Sequence, residues 1–204
     1  MTSQKAASFI VRNKLILASA SPRRLDLLKQ INITPFAICP ADIDETPHKG
    51  ESPKDHALRL SCEKSHKISV IHSGTYILAA DTVVACGRRI LPKTKDEASV
   101  QECLELLSGR RHHVYGGIAL LTPDGNLISR VSDTMVQFKH LTTQDIKTFL
   151  VTKEWDGVAG GYAIQGMGAA FVKRLSGSYS NVVGLSLYDT MQILQGSGFF
   201  KAQQ

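Results

Sequence analysis

The run Lys14-Leu15-Ile16-Leu17-Ala18-Ser19-Ala20-Ser21-Pro22-Arg23-Arg24-Leu25-Asp26-Leu27-Leu28 changes character in its middle. Its first half is a short apolar stretch of the kind that forms a buried strand. Its second half opens a helix: Ser21 suits the cap, and Pro22 suits the first helical position, where its missing N–H had no partner to lose. Leu25, Leu27 and Leu28 then supply an inward face. Strand, cap and helix in that order make an α/β opening.

The same junction is an anion site in outline. Ser19, Ser21, Arg23 and Arg24 meet the unpaired N–H groups and the positive dipole end of a helix, where bidentate guanidinium bonds also favour phosphate. An ordinary capped helix with surface arginines has the same pattern. The chain around it alternates. Pro35 to Pro53 is irregular, Pro53 to Val70 has helical spacing, and Tyr76 to Ala80 is an apolar strand ending on Asp81-Thr82 before Val83-Val84-Ala85. Asp96 to Leu107 reads as an amphipathic helix closed by Gly109. Strands His112–Leu121 and Leu127–Phe138 flank a turn at 122–126, and Thr142-Thr143-Gln144-Asp145 is a capping box for a helix through Val151. A glycine-dense loop from Gly157 to Gly168 and a last helix over Asp189–Leu194 complete a mixed α/β reading, with pairing order open.

Composition limits the partners. The 204 residues are 43% hydrophobic and 21% charged, a globular balance, and a chain this long buries roughly 70% of its unfolded surface. No repeat or linker divides it, so one domain over 1–204 is expected. No apolar stretch approaches the roughly 20 residues of a bilayer span. Arg12, Lys14 and Ala18-Ser19-Ala20 hint at a leader, but the apolar core between them is too short. Cys39, Cys62, Cys86 and Cys103 lack zinc or redox spacing, which fits free thiols in a reducing cytoplasm. A net charge of +6 and a pI near 9.2 favour a polyanionic partner. The bases come in scattered pairs such as Arg88-Arg89 and Arg110-Arg111, which favours local phosphate sites over a stable nucleic-acid partner.

Asp81 at a strand end is where open α/β sheets place ligand-binding groups, although a turn-initiating Asp reads the same way. Asp42, Asp44 and Glu45 offer oxygen ligands suited to Mg²⁺ or Mn²⁺, or simply a solvated acidic loop. Lys64 and Lys93 look like surface lysines when taken alone. There is no P-loop and no nucleophile elbow.

Taken in order, these segments resemble the Maf nucleotide pyrophosphatases. The resemblance rests on the opening run, the acidic loop at Asp44-Glu45, Glu63-Lys64, Ala80-Asp81-Thr82-Val83-Val84, Lys93 with Asp96, and Leu107-Ser108-Gly109-Arg110. It continues through Tyr162-Ala163-Ile164-Gln165-Gly166, Gly177-Ser178-Tyr179 and Val182-Val183-Gly184-Leu185, nearly the whole chain. It implies a twisted mixed sheet flanked by helices, with two lobes around a nucleotide-binding cleft as in Maf and ITPase folds. Asp81 would be the proton acceptor, and Asp44, Lys64 and Lys93 the other charged catalytic groups. Ser19, Ser21, Arg23 and Arg24 would hold phosphate.

Arg23, Thr82 and Gln165 match the branch acting on dTTP and UTP rather than the 7-methyl-GTP branch. The implied reaction is release of pyrophosphate from a nucleoside triphosphate, assisted by a divalent cation (Mg²⁺, Mn²⁺ or Co²⁺) on Asp44 and Asp81, in a homodimer. A non-catalytic regulator of division or septum formation that binds nucleotides or nucleic acid is the alternative. Besides Lys64-Ser65 in place of Lys-Ala, a small-for-small change expected to be harmless, two places depart from the family pattern: Pro92-Lys93-Thr94 stands for Gly-Lys-Pro, and Gly157-Val158 for Asp-Lys.

Overall fold

The computed structural model describes residues 13–200, so Arg12 of the leader-like stretch lies outside the described residues. A seven-stranded mixed sheet runs in the order β2-β1-β3-β5-β6-β7, with β4 paired to β3. The strands are β1 (Leu15–Leu17), β2 (Ala37–Ile38), β3 (Tyr76–Cys86), β4 (Arg89–Leu91), β5 (Arg111–Leu121), β6 (Leu127–Phe138) and β7 (Val172–Ser176). β1 is parallel to β2 and β3, while β3, β5, β6 and β7 are antiparallel in turn. Helices α1 (Pro22–Gln30), α2 (Pro53–Ser69), α3 (Glu97–Leu107), α4 (Thr143–Thr152), α5 (Tyr179–Val183) and α6 (Leu187–Gly196) flank it.

The expected elements form, with differences that have local causes. The capping box closes as anticipated, Thr142 Oγ1 accepting from Asp145 N while Asp145 accepts from Thr142 N. Gly109 follows α3 at φ +71, a left-handed conformation that a side chain would strain. Ser21 sits at the N-cap of α1 with extended dihedrals, yet its side chain makes no cap bond; the Ser19 hydroxyl accepts the Ser21 N–H at 3.2 Å instead. Short β4, β7 and α5 had no periodic signal in so few residues.

Asp81 is not at a strand end. β3 continues through it for five more residues, to Cys86. β1 pairs with β3 only as far as Leu17 opposite Leu78, and β4 takes up the same edge at Val84 opposite Leu91. Between those points that edge of β3 has no neighbouring strand among the described residues, and the gap opens the sheet at Asp81 and Thr82. α2 lies close on one face because β5 carries Gly116-Gly117. A Cβ on Gly117 would strike the Ala57 carbonyl, and one on Gly116 would strike the Asn181 amide on the opposite face. The larger core, with Leu28, Leu104, Phe138, Phe149 and Phe171, fills that opposite face.

Candidate functional site

A cavity of about 430 Å³ occupies the gap, within the range of small-ligand sites. Its walls come from the β1–α1 junction, the middle of β3, the loop after β2, the Pro92–Thr94 segment, the glycine-dense loop and the turn after α5. Ser19, Ser21, Arg23, Arg24, Lys64, Asp81, Thr82, Lys93 and Gln165 all line it, so residues far apart in sequence are brought together.

Asp44 does not. Its exposed carboxylate accepts the Thr46 N–H at 2.9 Å, and hydrogen bonds from Thr46 hold it below the usual carboxylate range. The neighbouring Glu45 turns inward instead. Lys64, from α2, donates to Glu45 Oε1 and to Asp81 Oδ1, both at 2.6 Å, and Lys93 donates to Glu45 Oε2 at 2.5 Å. Burial opposes the charge on Glu45, but its bonds from Lys64 and Lys93 overcome that and hold its carboxyl down at about 2. Asp81 is buried, and its Oδ2 has no hydrogen-bond partner among the described residues.

The loop bearing Glu45 is tied to α2 by a network that sequence reasoning missed. Arg59 donates to the Thr46 carbonyl at 3.0 Å, to Glu51 at 2.7 Å and to Glu63 at 3.1 Å. Glu51 also accepts the His48 N–H and meets His56 Nδ1, each at 2.9 Å. The bonds from Arg59, outweighing the cost of burial, hold the Glu51 carboxyl at about 2. Glu51 falls just before the Ser52 cap of α2, and that eight-residue spacing to Arg59 was the available signal.

The adjacent arginines separate. Arg24 is buried and spends its guanidinium on the protein: Nε on the Gly184 carbonyl (2.9 Å), Nη1 on Ser19 Oγ (2.8 Å) and Nη2 on Thr82 Oγ1 (3.1 Å). Burial pulls its pKa down, with Asp81 opposing. It clamps β1, β3 and the turn after α5 together. Arg23 is half-buried, has no ion-pair partner among the described residues, and lines the cavity at the N-terminus of α1, a position that favours an anion.

The other end of the cavity is mostly apolar. Val84, Val158, Tyr162, Ile164 and Val183 line it, and the exposed Gln165 has an amide there with no hydrogen-bond partner among the described residues. Thr82 faces it with a hydroxyl already engaged by Arg24 and Gly184. The two departures noted in the sequence meet at this end. Thr94 N donates to the Val158 carbonyl at 3.2 Å, Gly157 N donates to the Thr94 carbonyl at 2.8 Å, and the buried Thr94 hydroxyl donates to Trp155 O at 2.8 Å. A proline at 94 would lack the first of these donors.

Among the described residues no three His, Cys, Asp or Glu side chains gather into a metal cage. Asp81 and Glu45 nevertheless converge on one ammonium, which marks a point where positive charge is held between carboxylates. That donor set fits a hard divalent ion of the Mg²⁺ type, which takes few protein carboxylates and completes its shell with phosphate and water.

The sequence model of a family described as Maf-like protein matches residues 14–197. The chain belongs to the Maf family. A dTTP/UTP pyrophosphatase of Paramagnetospirillum magneticum is 58% identical over 91% of this Maf chain and 97% of its own length. One from Caulobacter vibrioides is 52% identical over 91% and 96%, and one from Novosphingobium aromaticivorans 49% over 94% and 96%. Among solved structures, a HAM1 protein from Coxiella burnetii aligns with 90% of the Maf chain and 99% of its own, at 15% identity and a TM-score of 0.49.

Proposed function

We propose that this Maf protein hydrolyses dTTP and UTP to the monophosphate and pyrophosphate. The observation that carries the reading is the chain of contacts Asp81–Lys64–Glu45–Lys93 at one end of a cavity whose other end is mostly apolar and bears the Gln165 amide. Its near relatives bear the name of that activity over almost their full lengths.

Water attacks the α-phosphorus while the bond from that phosphorus to the α–β bridging oxygen breaks, so pyrophosphate departs with the bridging oxygen. Asp81 takes the water's proton on Oδ2, the oxygen that Lys64 leaves free. Lys64 and Lys93, which donate to the Glu45 and Asp81 carboxylates, transfer donors to the phosphates as negative charge accumulates on the leaving group. Arg23 and the α1 N-terminus hold the remaining phosphate oxygens. A divalent cation (Mg²⁺, Mn²⁺ or Co²⁺), held by Asp81 and Glu45 with the substrate phosphates, would neutralise charge and make the attacking water more acidic. Gln165 meets the pyrimidine edge, and a purine would leave that buried edge poorly paired. The four free cysteines suit a cytoplasmic setting.

Pyrophosphate release from dTTP, UTP, CTP, ATP, GTP and 7-methyl-GTP, with Mg²⁺, Mn²⁺ or chelator, tests the proposal. Release confined to dTTP and UTP and abolished by chelator is expected. Turnover of purines would overturn the specificity, full activity in chelator the role of the cation, and no release from any nucleotide the reaction itself.

A further inference from the structure

The buried polar pair His112 and Tyr162 lies behind the cleft wall and takes no part in the chemistry above. His112 is fully buried and Tyr162 nearly so. The His112 Nε2 and the Tyr162 hydroxyl are 2.7 Å apart, inside an aromatic cluster in which Phe138 packs edge-on against both rings, at 5.0 and 4.8 Å. His112 does not line the cavity, whereas Tyr162, Ala163, Ile164 and Gln165 all do.

The pair is an odd choice for mere packing. His112 Nδ1 is buried with no hydrogen-bond partner among the described residues, and an unsatisfied buried polar atom costs stability. Two phenylalanines would fill the space without that cost. What the polar pair adds is direction. Burial, with a smaller push from His113, holds the His112 pKa down at about 4, so the ring is neutral at ordinary pH and carries one proton. With that proton on Nε2, both Nδ1 and the tyrosine O–H hydrogen are stranded. With it on Nδ1, Nε2 accepts the tyrosine hydrogen and only one group is unpaired. The second arrangement fixes the phenol as donor and the imidazole as acceptor.

The acceptor is anchored in the sheet, since His112 is paired with Val136 across β5 and β6. The donor is not. Among the described residues, the other hydrogen bonds of Gly161 to Gly166 are local, to Val158, Ala163 and Ala169. The Tyr162 hydroxyl is thus the polar tie between this segment and the sheet, three residues before Gln165. We infer that His112 is a positioning residue for nucleobase recognition, setting through Tyr162 the place of the segment that presents Gln165 to the cleft. This rests on the function proposed above.

Steady-state pyrophosphate release from dTTP by wild type, Tyr162→Phe, His112→Phe and the double variant tests it, with thermal unfolding in parallel. Tyr162→Phe removes one oxygen and keeps the ring, so it carries the test even where His112→Phe fails to fold. KM is expected to rise roughly five- to tenfold in each single variant, with kcat within about twofold, because the phosphate end is untouched. The double variant should be no worse than either single one, since both remove the same bond. A lowered unfolding midpoint with KM unmoved would make the pair merely structural and overturn the inference, as would additive losses in the double variant. Active wild type with unshifted Tyr162→Phe refutes this role alone; inactive wild type takes down the enzymatic reading as well.

Discussion

The two ends of the cleft are built by opposite means. At the end proposed to take the phosphates, Asp81, Lys64, Glu45 and Lys93 come from a strand, a helix and two loops, and ion pairs 2.5 to 2.6 Å long join them. At the end proposed to take the base, the wall from Gly157 to Gln165 is held by packing, by backbone bonds to the Pro92–Thr94 segment and by the Tyr162–His112 tie. In the proposed reaction the first end would release its internal partners on binding phosphate, so its charges would act most strongly when new negative charge appears. The second is already shaped, and acts equally on bound substrate and transition state. Changes at the phosphate end should therefore appear in kcat, and changes at the base end in KM.

The largest expected effect is from Asp81→Asn, which keeps the size and one acceptor for Lys64 but cannot take the proton. Turnover should fall roughly a thousandfold with thermal stability close to wild type, and near-normal kcat would end the role of Asp81 as base. Glu45→Gln comes next: its amide cannot balance Lys64 and Lys93, and kcat should fall about a hundredfold. A rise in KM without loss of kcat would erase the distinction between the two ends. Asp44→Asn, altering the outward neighbour, is the control and should change little.

Gln165→Ala sharpens the comparison from the other side. KM for dTTP and UTP should rise about tenfold with kcat nearly kept, and discrimination against CTP should relax. A kcat loss as large as that of Glu45→Gln would show that the ends act as one unit. The smallest effect is on stability against pH. His112, with its pKa lowered from 6.5 to about 4 in the fold, stays neutral there while the unfolded chain takes up a proton. Its contribution is complete above about pH 6.5 and is lost as pH falls toward 4. Thermal midpoints between those pH values should decline less steeply in His112→Phe than in wild type.

The β1–α1 opening could be read directly, because Ser21, Pro22 and the leucines after them act within a few residues of one another. The helix limits at Pro53, Asp96 and Thr142 were legible for the same reason: caps are local chemistry. The middle of β3 was not. Asp81-Thr82 looks like a strand end in sequence, and only the shortness of β1 and the late start of β4 turn an unbroken strand into a binding edge. Asp44 and Glu45 are adjacent carboxylates that no local rule distinguishes. The path of their loop, fastened to α2 through Arg59, turns one outward and the other onto two lysines.

The sequence by itself determined the alternation of elements, the family, and the charged and polar residue types available for the site. Spacing, caps and motif order act over short stretches of chain and survive in a linear string. The tertiary structure decided which of two arginines spends its donors on a clamp and which does not, which of two acids enters the cleft, and that His112 stands behind Tyr162. Those outcomes depend on contacts between separate segments, from 13 residues apart where Arg59 holds the Glu45 loop to 160 where Arg24 reaches Gly184. Burial then sets the role of each group, because a side chain's partners and its charge depend on what surrounds it in the folded chain.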